Sequence, residues 1–472
     1  MNVKIPGLFR FWAISLFLVL APLVFAQETR STEPRSSGPL AITPDKAVEM
    51  AIDHNLSLQQ AQIGNEAKRR AAQTPWNVFI PTVEVAGTLG RLNKAPQATV
   101  IPFPAPIGTV TMGEASPQWR LSASLQATLN LNVGTFMGIK QTVEEYHAGL
   151  VTVEKAKLQL ERDIRKAYYS MLLAKEQIAL LRDNYDNAER QVTMAQANYR
   201  AGLIPEVNLL QVQVARENMR PRIDEAENAY RMAMASFALF LGLPYDTEFE
   251  LAALPGTVTF ITLEAQDLIT QAASKKPDIE ELRRRLSALK AQKTALFYTL
   301  YTPTVSLGFN MDPTFGGDPF KDKLFERSQW KQQSGMFRVT LAWRLNALIP
   351  FTVEHQSYLA MGDAVKSLDL GLSQAVQGTE VEVYNIIMQL EKTRTTTEAQ
   401  RMTVELAERT LRLSQTAYQN GLKQYIEVRN DELALSEARL GALQQNYNYL
   451  MGLLDLEYAI GAPFGTLSGG NK

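Results

Sequence analysis

The chain has 472 residues with 48 basic and 49 acidic side chains, so its net charge of −1 gives no global attraction to nucleic acid or to an anionic membrane surface. It contains no cysteine, which excludes disulfides, thiolate catalysis, Cys-based zinc sites and lipid attachment through an N-terminal Cys. Its three histidines lie far apart, and no nucleophile-elbow, Walker A or metalloprotease motif occurs, so we expect no enzyme activity, cofactor or metal.

Residues 1–26 have the pattern of a cleaved secretory signal. A basic start precedes an apolar run from Phe11 to Leu20, and Ala26 ends a segment that suits the small-residue rule for cleavage. The apolar run is shorter than the ~20 residues of a spanning helix, and a retained N-terminal anchor is the alternative. Residues 27–41, rich in Ser, Pro and Gly, are predicted to be a flexible leader.

The β-strand predictions rest on alternation of apolar and polar residues. From Leu121 to Asn132 the alternation has no exception, and three further segments show it too. The four strands make two predicted hairpins, at about 79–132 and 303–346. Each strand is near the ~9–11 residues of a tilted membrane-crossing strand, although a soluble antiparallel sheet alternates in the same way. Two hairpins cannot close a barrel, so several chains would have to pool their strands.

The segments after each hairpin have helical periodicity. A sustained 3,4 spacing of apolar residues predicts one coiled-coil helix over 135–200, ~100 Å long at 1.5 Å per residue. Its counterpart over 349–420 is more polar midway but is also predicted to be a single helix. Shorter helices at 206–241 and 425–460 return along the long ones after a tight turn.

The chain is internally duplicated. Tyr199–Pro244 recurs without a gap as Tyr418–Pro463 at a constant offset of 219, and the repeated positions include residues that end helices. Farther upstream the offset drifts, to 222 for the Pro-Thr-Val entries of the first strands and to 214 for the Leu-Asn ends of the second strands. We therefore predict a first repeat, a connecting segment, a second repeat and a C-terminal tail, at 42–244, 245–260, 261–463 and 464–472.

Signal, duplicated strand hairpins and coiled-coil hairpins together resemble the TolC-type outer-membrane efflux protein family over about residues 42–463. The most specific local signatures are Tyr-x-x-Gly-Leu at the two helical turns, which begin at Tyr199 and Tyr418, and Pro-Thr-Val at Pro81 and Pro303. The resemblance implies a mainly α fold with a small transmembrane β part. Three protomers would contribute 4 strands each to a barrel of about 12 strands, which continues into a long coiled-coil α-helical barrel.

The same resemblance implies a function and a set of partners. The chain would be a homotrimeric exit duct in the outer membrane, with a long periplasmic extension, through which small molecules such as drugs and toxic compounds leave the periplasm. An inner-membrane RND or ABC pump and a periplasmic adaptor (membrane fusion) protein would drive and engage it; outer-membrane lipid, but no nucleic acid, is expected as a further partner. The alternatives are a type I secretion duct for proteins and a periplasmic coiled-coil protein without a pore.

Candidate gate residues lie at the second helical turn. TolC-like channels carry acidic residues at the positions that match Glu427 and Asn430, and only the first is acidic here. Three copies of Glu427 would form a carboxylate ring that favours cations. Asp431, in the next turn of the helix, is a further gate candidate. An ordinary solvated helix face is the alternative.

Further candidates follow from the resemblance alone. Tyr418, Lys423 and Asn208 match polar links between neighbouring hairpins that hold the entrance closed in the family. Because Asn208 replaces the acid often found there, we expect a looser latch. The surface where an adaptor docks is expected at the tips of the turns, at Gly202, Leu203, Gly421 and Leu422.

Overall fold

The computed structural model describes residues 40–94, 99–102, 104, 106, 108–112, 118–252, 260–420 and 422–467. The predicted signal, nearly all of the predicted leader, residues 253–259 of the connecting segment, Gly421 and the end of the tail therefore lie outside the described residues.

The elements follow the duplicated order that the sequence predicts. Those up to the connecting segment are β1 (Leu40–Ile42), α1 (Pro44–His54), α2 (Leu56–Gln73), β2 (Thr82–Arg91), β3 (Thr99–Pro102), β4 (Thr109–Met112), β5 (Trp119–Asn132), α3 (Val133–Arg200), α4 (Glu206–Glu217), α5 (Arg220–Phe240) and β6 (Phe249–Leu251). Those after it are α6 (Ala265–Lys275), α7 (Pro277–Tyr301), β7 (Thr304–Met311), β8 (Thr314–Phe315), β9 (Trp330–Lys331), β10 (Met336–Ala342), α8 (Val353–Gln419) and α9 (Tyr425–Ile460).

The four long strands form one antiparallel sheet in the order β2, β5, β7, β10. The register places polar residues together on one face, as in the rows Glu84–Gln126–Asn310 and Asn130–Ser306–Thr340. The other face is apolar, because side chains alternate between faces along each strand. This two-faced sheet is the one that the alternation predicts.

Both edges of this sheet are open. Every residue of β2 and of β10 is exposed in the single chain. An exposed strand edge presents unpaired backbone N–H and C=O groups, which hydrocarbon does not tolerate. The sheet is therefore a segment of a larger structure.

The helices pack in pairs around α3 and α8. α7 packs on both α3 and α8, and α9 packs on both α8 and α3. The largest buried cluster surrounds Tyr168 in the middle of α3, where its hydroxyl lies 2.8 Å from the carbonyl oxygen of Ile42 and 2.7 Å from that of Ala252. Because the Ala252 amide also bonds Ile42, this cluster joins the start of the first repeat and the connecting segment to α3. Within the described residues, no helix is long and apolar enough to cross a bilayer.

Two polar side chains fix the ends of the helices. The Asn132 side chain caps α3 by accepting from the Gly134 amide at 2.6 Å, and its Nδ2 donates to the carbonyl oxygens of Thr302 and Pro303 at 3.1 Å each. This amide therefore ties the start of α3 to the start of β7. At the end of α9, the fully buried carboxylate of Glu457 accepts from the amides of Gly465 and Leu467, at 3.1 and 2.7 Å.

The helix predicted over 206–241 is wrong in one respect, since the structure divides it into α4 and α5. Asn218 and Met219 separate the two helices, and Pro221 occupies the first turn of α5. Proline has no N–H with which to bond the carbonyl of Glu217, so one continuous helix is disfavoured. The matching residue of the second repeat is Leu440, and α9 is uninterrupted.

The second hairpin also ends earlier than the predicted 346. β10 stops at Ala342, and Leu345–Leu348 form a 3₁₀ turn. The Thr352 hydroxyl donates to the carbonyl oxygens of Asn346 and Ile349, at 2.7 and 2.8 Å, which stabilises the turn. Pro350 keeps the residue before it extended, so α8 begins at Val353 rather than at 349.

Candidate functional site

The first helical turn ends α3 with a Schellman motif. The Gly202 amide bonds the Tyr199 carbonyl at 2.9 Å, and the Leu203 amide bonds the Asn198 carbonyl at 2.8 Å. The motif requires a left-handed residue, and Gly202 has φ 73°. The Leu203 side chain, which follows it, is 73% exposed at the tip.

The second helical turn ends α8 with the corresponding bond, from the Leu422 amide to the Ala417 carbonyl at 2.9 Å. Leu422 is 82% exposed, so each turn presents one leucine to solvent. The turns thus have a common backbone plan, although Gly421 itself lies outside the described residues.

A polar triad, Lys423, Ser414 and Asp431, closes the second turn. The Lys423 ammonium donates to Asp431 Oδ2 at 2.8 Å and to Ser414 Oγ at 2.5 Å, and Ser414 in turn donates to Asp431. The hydrogen bond from Lys423 lowers the pKa of the Asp431 carboxyl below its ordinary value, and the one from Ser414 lowers it further. The triad joins α8, the turn and α9 within one chain.

The first turn has an apolar cluster at the same positions. Subtracting 219 from the triad gives Ile204, Ala195 and Val212. Ala195 and Val212 belong to a small buried cluster against which Ile204 packs. In both tips the same three positions lie together, but their side chains are apolar in the first tip and polar in the second.

The predicted gate residues Glu427 and Asn430 are both exposed. Glu427 accepts a hydrogen bond from the Gln424 amide at 3.2 Å and completes a capping box at the start of α9. In a single chain, its carboxylate therefore stabilises the helix start while facing solvent.

The three predicted latch residues are not brought together in one chain. Lys423 is bound within the polar triad, and Tyr418 lines a cavity of about 220 Å³ between the two hairpins, with Met194 and Val428. Asn208 is half-buried in the first turn of α4. A link between neighbouring chains remains a prediction.

A polar contact between α3 and α9, close to the tips, was missed by sequence reasoning. Gln191 donates to the Glu432 carboxylate, and Asn184 donates to Ser436 Oγ at 2.7 Å. Burial raises the pKa of the Glu432 carboxyl above its ordinary value, although the hydrogen bonds from Gln191 and Gln415 oppose this shift. This contact holds α9, in the second helical hairpin, against α3, in the first.

The sequence carried a signal for the polar triad, but not for Glu432. At the offset of 219, the positions that match Ser414, Asp431 and Lys423 all hold apolar residues. No comparable pattern links Gln191 to Glu432, because a helix-to-helix contact over 241 positions is set by packing. Among the described residues, no group of three or more His, Asp or Glu is arranged to hold a metal ion.

Known proteins share both sequence and fold with this chain. A family model described as outer membrane efflux protein matches residues 47–243, most of the first repeat. The nodulation protein T of Rhizobium leguminosarum bv. trifolii is 21% identical over 435 residues, covering 88% of this chain and 85% of the relative. The Campylobacter jejuni CmeC outer membrane channel has a TM-score of 0.71 at 13% identity, covering 94% of this chain and 92% of that chain. For the outer membrane protein VceC of Vibrio cholerae the TM-score is 0.67 at 15% identity, covering 89% and 96%.

The strand segment and the long helices, with these matches, give the chain the fold of outer-membrane channel proteins. The chain resembles the outer membrane efflux protein family over residues 47–243, in its first repeat, and has the fold of these channels over most of its length. Such proteins are passive channels rather than enzymes, and they lie in the outer membrane with a long helical extension in the periplasm. The resemblance predicted from the repeated turns and strand entries is confirmed.

Proposed function

We propose that three copies of this chain form the exit duct of a tripartite export system, through which small molecules leave the periplasm. The observation that carries this proposal is a two-faced sheet with two open edges, attached to helices of 68 and 67 residues. Three such sheets would close a barrel of about 12 strands, an even number as in bacterial barrels. The lumen would continue between the helices, roughly 100 Å in length at 1.5 Å per residue.

The entrance of this duct would lie at the helical tips. Three chains would bring three copies of Glu427 toward one axis, and a ring of exposed carboxylates favours cations over anions. Tyr418, Lys423, Asn208, Asn430 and Asp431 remain candidates for contacts that hold the entrance closed between chains. Because Lys423 is already bound to Asp431 in one chain, an intermolecular latch through Lys423 would have to share this ion pair or break it.

The exposed leucines of the tips are the proposed docking surface for a periplasmic adaptor, which an inner-membrane RND or ABC pump would accompany. Leu203 and Leu422 are 73% and 82% exposed, each directly after the glycine position of its turn. Substituting both by Ser should abolish pull-down of the adaptor while leaving the trimer intact. Retained pull-down would place the docking surface elsewhere.

Recordings in planar bilayers test the channel and its selectivity together. The wild-type trimer should show cation-preferring conductance, and Glu427→Ala should weaken this preference and raise the conductance. The matched control is Glu437→Ala, because Glu437 is an exposed acid farther from the tip on the same helix. This substitution should change neither the cation preference nor the conductance. Recovery of the protein solely in the soluble periplasmic fraction would instead contradict the channel itself.

A further inference from the structure

The two open edges of the sheet carry opposite charges on the same face. Glu84 lies on the polar face of β2, where it is paired with Gln126. Arg344 follows β10 in extended conformation, with φ −86° and ψ 109°, so alternation places it on the polar face with Arg338 and Thr340. Neither Glu84 nor Arg344 has an ion-pair partner among the described residues of the chain.

The internal repeat supplies a rule for strand register. Within the first hairpin Thr82 pairs with Thr128. Adding the offset of 222 to the first position and that of 214 to the second gives Thr304 opposite Ala342, and that is the register found in the second hairpin. The offsets therefore convert the pairing of one repeat into that of the other.

The same rule applied to the β5–β7 pairing gives the contact between chains. β5 corresponds to β10 and β7 corresponds to β2. Applying the same two offsets, 214 and 222, converts the pair of Asn130 and Ser306 into Arg344 opposite Glu84. We propose that, in the trimer proposed above, β2 of one protomer pairs antiparallel with β10 of its neighbour, with Glu84 directly opposite Arg344 on the lumenal face. This seam rests on the proposed oligomeric channel and specifies how its chains join.

The apolar face of the seam supports this register. The proposed register places Val85 opposite Trp343 and Leu89 opposite Val339. Each of these four side chains is at least 49% exposed in the single chain. A slip of one residue would turn polar side chains of one strand toward lipid. Keeping apolar residues on one face and polar residues on the other therefore allows only registers that differ from this one by an even number of residues.

The ion pair selects among the remaining registers. A slip of two residues would leave Glu84 opposite Ala342 or Asn346, without a counter-charge. At the equivalent place inside the chain, Ser306 donates to Asn130 Oδ1 at 2.7 Å, a neutral pair. Opposite charges directly across two strands stabilise pairing, whereas like charges oppose it. The contact between chains is thus ionic where the contact within a chain is neutral.

Disulfide trapping tests this register directly, because the chain contains no cysteine of its own. Directly opposite strand residues have Cα atoms about 4.5–5.5 Å apart, within the range that a disulfide spans. Mild oxidation of the Glu84→Cys/Arg344→Cys trimer in outer-membrane fractions should convert most of the protein to linked dimers and trimers on non-reducing gels. Each single Cys variant should remain monomeric on the same gels.

The matched control moves one cysteine along the same edge. Arg338 lies on the same face six positions from Arg344, about 20 Å away at ~3.3 Å per residue, so Glu84→Cys/Arg338→Cys should not link. Linking of that control pair, or a conducting trimer in which neither pair links, would overturn the register while leaving the channel proposal intact. Absence of both trimer and conductance would remove the proposed function and the seam together.

Charge reversal tests the ion pair separately from the register. Glu84→Arg places like charges across each seam and should lower the temperature at which the trimer dissociates on heating in detergent. Glu84→Arg/Arg344→Glu restores opposite charges and should return the dissociation temperature to near that of the wild type. Equal dissociation temperatures for all three proteins would show that the pair does not contribute.

Discussion

The two helical tips of one chain have the same backbone turn and are held by different interactions. The first tip packs Ile204, Ala195 and Val212 in an apolar cluster, whereas the second joins the matching Lys423, Ser414 and Asp431 by charge-assisted bonds. An apolar cluster is insensitive to pH and only weakly sensitive to salt, whereas an ion pair depends on both. The two repeats therefore share the backbone geometry of the turn. Of the two clusters, only the polar triad of the second tip should respond to pH and salt.

The largest effect is expected from placing a charge in the apolar tip. Val212 is 3% exposed, so Val212→Asp buries an unpaired carboxylate and should destabilise the first tip by about 3 kcal/mol. Adding Ile204→Lys and Ala195→Ser copies the polar triad and should recover most of this loss, because the turns share one plan. Hydrogen exchange of α4 amides measures both. No recovery in the triple variant would show that the tips differ in more than these three residues.

A smaller effect is expected from removing the charge of the polar triad. Asp431→Asn keeps the shape but loses the ion pair with Lys423, whose members are 28% and 22% exposed at the side chain. The cost should be about 1 kcal/mol, since the pair is partly solvated. It should appear as faster hydrogen exchange in the first turns of α9, with α4 unchanged. Glu437→Gln, on the exposed face of the same helix, is the control and should leave exchange unaltered.

The smallest effect is a pH dependence of opposite sign at two neighbouring carboxyls. The pKa of Asp431 is lowered by Lys423, so its stabilisation is complete above its ordinary value of 3.8 and is lost as pH falls through the lower folded value. The pKa of Glu432 is raised by burial, so its ionised form weakens the contact with α3, and protonation relieves this as pH falls through the raised value. Mild acid should therefore slow exchange along this contact without loosening the second turn. Glu432→Gln should abolish that change.

Sequence patterns predicted the features that depend on neighbours along the chain. Alternation from Leu121 to Asn132 fixed the two faces of the sheet, and the repeated glycines placed the helical turns. The break before Pro221 was equally readable, since proline disrupts a helix anywhere beyond its first turn. The equivalent helix of the second repeat has no proline and is uninterrupted.

The features that depend on distant contacts could not be read in this way. The early end of β10 follows from hydrogen bonds that Thr352 makes to the preceding turn. Glu432 became buried only through the approach of α3 to α9. Alternation likewise predicted open edges without the number of chains that would close them. Periodicity shows which face of a helix or strand is apolar. Which element packs against that face depends on how the helices and strands assemble.

The buried Glu457 carboxylate sets practical limits on altering the C-terminus. It accepts hydrogen bonds from the amides of Gly465 and Leu467, so the chain up to Leu467 is needed to stabilise this buried charge. A truncation before Gly465 would remove these two donors from a fully buried carboxylate, and such shortened proteins should assemble poorly. An affinity tag is therefore better placed beyond Leu467 than in place of the segment from Gly465 to Leu467.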